Sequence, residues 1–139
     1  MNKILIKWSD SYSVGYPEID NQHIKLVNLI NKLYDAFSEG KVSSVIEPIL
    51  NEMIEYTDYH FKNEEKLFEK YQYPEKEEHK KIHGEFIKKA YSFLASHKNG
   101  DVLFTYDLMN FLRDWLVSHI QDSDREYTNY FKGKNIIEL

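Results

Sequence analysis

Cysteine is missing altogether, which removes disulfides, iron–sulfur clusters and thiol chemistry from consideration. Glycine and proline are scarce, with five and three residues, and no low-complexity tract or internal repeat interrupts the chain. Positive charge is in the minority. A formal net charge of −5 argues against a general nucleic-acid or anionic-membrane binder, since either would want a basic patch. Long apolar runs are also absent. The opening MNKILIKW holds only three apolar residues in succession, short of a signal-peptide core, and nothing approaches the ~20 residues of a membrane span. A cytoplasmic protein with no nucleic-acid or membrane partner is expected. Strand-like alternation lasts no more than a few residues, except over Lys3 to Trp8.

What remains is helical. The 139 residues form one expected domain, 1–139, large enough to bury roughly two thirds of the surface of its unfolded chain. Apolar residues recur at threes and fours in four segments, which predict helices over about 19–38, 44–71, 74–97 and 102–122. Leu26, Leu29, Ile30, Leu33 and Phe37 mark the first, and Gly40 follows it. Ser44 and Glu47 have capping-box spacing at the start of the second, with Pro48 in its first turn. Pro74 suits the opening of the third, and Asn99-Gly100 stops it. Leu108, Phe111, Leu112, Trp115 and Leu116 carry the fourth. The expected fold is all-α: an antiparallel up-down-up-down four-helix bundle. An irregular amino-terminal arm, 1–18, precedes it, and a short carboxy-terminal tail of a turn and coil follows Asp124.

That topology makes the six histidines informative. His23 precedes Gly40 by 17 residues and His60 follows it by 20, while His83 precedes Gly100 by 17 and His119 follows it by 19. Antiparallel helices therefore bring His23, His60, His79, His83 and His119 to one level, with Glu64 and Asp124 beside them. His97 falls at the opposite end and reads as a surface residue. A lone interior histidine is usually an ordinary core or surface residue. HFKNE (60–64) and HKKIH (79–83) are i,i+4 pairs, each of which could arise by chance. Five imidazoles from four helices are another matter, because burying them together without a metal would strand many polar atoms.

The donor set is too large for one ion. A tetrahedral zinc uses four ligands at most. Two octahedral ions would be filled but for one position by five histidines, two carboxylates that both bridge, and an oxo or hydroxo bridge. Such a site would bind one small molecule. Mixed imidazole and carboxylate donors suit iron, with manganese, zinc and cobalt left open. The Glu-x-x-His pattern of carboxylate-rich di-iron bundles is absent, as is HExxH. Fewer anionic ligands favour reversible binding over oxygen activation. One residue fits poorly: Asp124 is five after His119, about 140° away on an ideal helix, so it joins only if the helix widens. Spacing alone does not prefer it to Asp122.

The chain resembles the hemerythrins, specifically the single-domain bacterial ones, from Trp8 to about Phe131. IDNQH (19–23), HFKNEE (60–65), YP (73–74) leading into EEHKKIH (77–83), and WLVSHIQDSD (115–124) carry the resemblance. It implies two iron ions in a non-haem, oxo- or hydroxo-bridged centre. His79, His83 and His119 would hold one iron, His23 and His60 the other, and Glu64 and Asp124 would bridge. It further implies reversible O2 binding for storage, delivery or sensing, end-on as hydroperoxide at the iron with two histidines. Leu26, Phe61, Trp115 and Ile120 match apolar pocket positions of the family, although core packing alone would also account for them. Nitric oxide and azide are alternative small ligands. The other functional reading is an enzyme acting on O2, peroxide or nitric oxide with an external reductant; a third is a bundle that its metal merely stabilises. Glu65 matches the motif, yet the donor count leaves it as a supporting or surface carboxylate.

Overall fold

Four long helices carry the chain in the computed structural model, which describes residues 4–40, 43–98 and 104–139; side chains are described for 4–40, 46–96 and 107–139. The side chain of His97 and the Asn99-Gly100 stop fall outside that set, as does the Ser44 side chain. The helices are α1 (Pro17–Ser38), α2 (Ser43–Lys70), α3 (Lys76–Lys98) and α4 (Phe104–Ser118). No strand occurs among the described residues. α1 packs on α2, α2 on α3, α3 on α4, and α4 closes back on α1. The sense is antiparallel. Lys32 near the end of α1 reaches Glu52 early in α2, and Phe93 late in α3 meets Phe111 early in α4 at 5.7 Å.

Local chemistry sets the ends. Pro17 occupies the first position of α1, where its fixed φ and missing N–H cost nothing. Gly40, at φ +67°, takes the left-handed position after α1. Gln72, at φ +52°, does the same after α2, and the Tyr73 N–H donates to the Phe68 carbonyl across it. Pro48 lies beyond the first turn, because α2 begins at Ser43.

Beyond Ser118 the helix does not stop. It widens into a π-helical segment, His119–Asp124, and continues as α5 (Arg125–Gly133). The tail after Asp124 is thus nine residues of helix before coil, longer than the short turn expected there. Tyr127 and Phe131 explain the extension: both are fully buried and pack on Phe68 and Tyr71, respectively. The amino-terminal arm is tied down by polar contacts. The Leu5 and Ile6 N–H groups donate to Asn31 Oδ1, both at 2.9 Å. Ser13 Oγ and the Val14 N–H donate to the Asp20 carboxylate. Arg125 donates to the Ser11 carbonyl at 2.6 Å.

Candidate metal centre

The core changes character along its length. At one end the buried residues are apolar: Leu33 and Ala36, Leu50 and Met53, Ala90 and Leu94, Leu108 and Leu112. At the other, His23, His60, Glu64, His79, His83, His119 and Asp124 are all buried, none more than 4% exposed. α1 contributes His23, the later part of α2 His60 and Glu64, the start of α3 His79 and His83, and the π-helical segment His119 and Asp124.

Each side chain reaches the same region for a local reason. The i,i+4 spacing of α2 and α3 stacks their donors on one helical face. The π-helical segment has i→i+5 geometry, so residues five apart, such as His119 and Asp124, return to one side. Asp122 stays at the surface, where the Ser118 hydroxyl donates to it at 3.4 Å.

The donors form two overlapping groups. One comprises Glu64, His79, His83, His119 and Asp124; the other comprises His23, His60, Glu64 and Asp124. Within each, the donor atoms lie no more than 4.8 Å apart. Glu64 and Asp124 are common to both. Asp124 faces two ways: Oδ2 lies 2.9 Å from His23 Nε2, while Oδ1 lies 2.9 Å from His119 Nε2 and 3.1 Å from His79 Nε2. One oxygen of Glu64, Oε1, lies 3.3 Å from His60 Nε2 and 3.2 Å from His83 Nε2.

Those approaches are short but not hydrogen-bonded. Twelve fully buried side-chain nitrogen and oxygen atoms lack a hydrogen-bond partner among the described residues, and eleven belong to these seven side chains. An unsatisfied buried polar group costs about 1–3 kcal/mol, so the nine that face one another, five Nε2 atoms and four carboxylate oxygens, would cost on the order of 10–30 kcal/mol. That is as large as or larger than the ~5–15 kcal/mol by which a domain is typically stable. Five imidazole lone pairs and two carboxylates are what divalent or trivalent cations accept, so the residues fit a metal site.

The electrostatics agree. Burial and the Asp124 charge would push the Glu64 carboxyl up, but His60 and His83 outweigh them and hold it down to about 2. Burial acts upward on Asp124 too, yet His119, His23 and His79 keep it well below the usual carboxylate range. Burial pushes His60 down to about 4, leaving it neutral. Burial also opposes charge on His23 and His83, but Asp124 raises the first and Glu64 with Glu65 the second. The twelfth partnerless atom is the Tyr127 hydroxyl, held protonated by burial and by the charges of Glu64 and Asp124.

Around the donors lies an aromatic and apolar wall. Phe61 stacks on His83 at 3.8 Å between ring centroids, 4° from parallel. Trp115 stacks on His119 at 4.3 Å, and Phe61 meets Trp115 edge-on at 5.5 Å. Leu26, Phe61 and Ile120 are buried, and Trp115 is half-buried.

Two polar neighbours complete the geometry. Glu65 Oε2 lies 3.0 Å from His83 Nδ1, which takes it out of the category of a mere surface carboxylate. Gln22 Oε1 lies 2.6 Å from His60 Nδ1. Nothing in spacing or periodicity marks Gln22. Its place next to His23 within IDNQH is the one signal that could have drawn attention to it.

A four-helix bundle that turns five imidazoles and two carboxylates into one end of its core defines a metal-binding bundle protein. A family model described as the hemerythrin HHE cation binding domain matches residues 14–131. A bacteriohemerythrin of Pseudomonas aeruginosa (strain LESB58) is 35% identical over 122 residues, covering 88% of this chain and 78% of the relative. One from Clostridium acetobutylicum is 33% identical over 125 residues, with 86% and 96% covered. A solved wild-type hemerythrin superposes with a TM-score of 0.83 at 29% identity, over 90% of this chain and 96% of that one. The chain belongs to the hemerythrin family. No helix among the described residues is long and apolar enough to cross a membrane.

Proposed function

We propose that this chain binds O2 reversibly at a non-haem di-iron centre. His79, His83 and His119 would hold one iron and His23 and His60 the other, with Glu64 and Asp124 offered to both. The observation that carries this reading is the sharing of Glu64 and Asp124 between two overlapping donor groups, one with three imidazoles and one with two. The two-histidine group offers one imidazole fewer than its neighbour, so a small ligand would bind on that side. Two ferrous ions, when bound, supply the two electrons that O2 accepts reversibly.

The protein's own part is to seat, shield and exclude. Leu26, Phe61, Trp115 and Ile120 line the site with apolar surface. Such surface excludes the water and protons that would turn a bound dioxygen into free peroxide. Tyr127, held protonated beside Glu64 and Asp124, adds no charge to it. A surface groove bounded by Ile82, Phe111, Asp114, Trp115, Ser118, His119 and Ser123 touches the three-histidine group through His119. None of its lining residues belongs to the two-histidine group.

The optical spectrum of the iron-loaded chain tests the reading. The reduced protein should be colourless, colour in air, and return to colourless under vacuum, and azide should alter the oxidised spectrum. An irreversible change in air would remove carriage. Steady turnover with a reductant would favour an enzyme, and indifference to azide a saturated structural site.

A further inference from the structure

Two of the inward-facing imidazoles are gripped from behind by oxygen atoms. Gln22 Oε1 stands 2.6 Å from His60 Nδ1, and Glu65 Oε2 stands 3.0 Å from His83 Nδ1. Asn63 Nδ2 donates to the same Gln22 oxygen at 3.4 Å, which keeps that oxygen turned towards His60. A carboxylate or amide oxygen can only accept, so each Nδ1 carries the hydrogen and donates it. The tautomer follows: Nε2 of both rings keeps its lone pair. Both Nε2 atoms then face one oxygen of Glu64, at 3.3 and 3.2 Å. In the neutral rings acceptor stands against acceptor, and a cation between them reconciles the contact, as an added proton does on His83 when no metal is bound.

The two supports share a placement and differ in charge. Gln22 directly precedes His23 and steadies a ring offered by the next helix; Glu65 directly follows Glu64 and does the same. Gln22 is a neutral amide. Glu65 is a carboxylate, and its side chain is 31% exposed. An anionic acceptor behind an imidazole makes the ring a stronger donor to a cation than a neutral acceptor does. The stronger support falls in the group that already has three histidines.

On the reading that the site holds two ions, we propose that Gln22 and Glu65 are positioning residues that lock His60 and His83 as Nε2 ligands. The charge of Glu65 widens the difference in grip between the two metal positions. Three imidazoles and an anionic support make one position tight; two imidazoles and a neutral support keep the other, where the small ligand binds, weaker and more electron-poor.

Titration of the chelator-stripped full-length chain with Co2+, read by its visible bands under chelator competition, tests this without O2. The parent chain should take up two ions in two distinguishable steps. Glu65→Ala should weaken the tighter step by about 10–100-fold and the other far less, and Glu65→Gln, which keeps an acceptor, should fall between. Gln22→Leu should weaken the second step instead, and Gln22→Glu should strengthen it. The paramagnetically shifted Nδ1 proton of the Co2+-loaded His83 should exchange faster with water in Glu65→Ala, a change that loss of packing elsewhere would not cause. If Glu65→Ala left both steps unchanged, or weakened both equally, the positioning role would be wrong while the two-metal site stood. If the parent chain took up no Co2+, the metal centre itself would be wrong.

Discussion

The two ends of the bundle use the same four helices to solve opposite problems. At the apolar end, where α1 finishes, α2 begins, α3 finishes and α4 begins, the packed side chains are Leu33, Leu50, Met53, Ala90, Leu94, Leu108 and Leu112. Thr57, between the two ends on α2, satisfies its own hydroxyl by donating to the Met53 carbonyl at 2.7 Å. At the other end, seven buried side chains leave eleven polar atoms without a hydrogen-bond partner among the described residues. The first end stabilises the fold by removing apolar surface from water. The second costs stability until cations fill it. Folding and function are thus divided along the helix axes, which is why donors can be packed so densely without forfeiting the bundle.

Chelation should separate the ends most strongly. Removing the metal is expected to lower unfolding stability by more than about 4 kcal/mol, the linkage expected when free ion stands a thousandfold above its dissociation constant. Amide exchange should accelerate over 17–26, 60–68, 76–84 and 119–131 while remaining slow over 29–36, 49–54, 90–94 and 108–112. Uniform acceleration would mean that the ends are not energetically distinct.

Glu64→Ala removes a group common to both donor sets. It should abolish retention of both ions in metal analysis and cost about 3–5 kcal/mol, as loss of one partner from a buried charged network does. His60→Ala should release only one ion. Leu112→Ala, at the apolar end, should cost about 2–5 kcal/mol in denaturant unfolding with metal content unchanged. If it released metal, the division of labour would be less clean than described.

Acid provides a finer contrast on the chelated chain. Burial holds His60 down to about 4, against an unfolded value near 6.5. Between those values the unfolded chain binds a proton that the folded chain refuses, so stability falls on acidification. The loss reaches about 3 kcal/mol by pH 4. Glu64, held down to about 2, adds a further loss below about pH 4.5. His23 and His83 are raised, so their contribution is complete below about 6.5 and fades as pH rises above it. Denaturant midpoints across pH should therefore be highest near pH 6.5. A flat profile would contradict the assigned environments.

How much of this was legible follows from which signals are periodic. Helical recurrence of apolar residues marked all four helices, and counting from Gly40 brought His23 and His60 to one level, where they do meet at 4.8 Å between ring centroids. Asp124 was not legible on an ideal helix, because its position depends on the π-helical segment, and no residue preference in Gln121-Asp122-Ser123 encodes that widening. The length of α5 escaped for a related reason: Tyr127 and Phe131 are held by tertiary contacts with Phe68 and Tyr71, not by an internal period. Gln22 and Glu65 act through single hydrogen bonds between helices, which leave no periodic trace at all.

Mössbauer spectroscopy of the aerated, iron-loaded chain, with parallel metal analysis, tests the central claim most directly. Two irons per chain in two quadrupole doublets of equal area are expected, one for the three-histidine position and one for the two-histidine position. A single iron per chain, or two irons in one indistinguishable environment, would contradict the account.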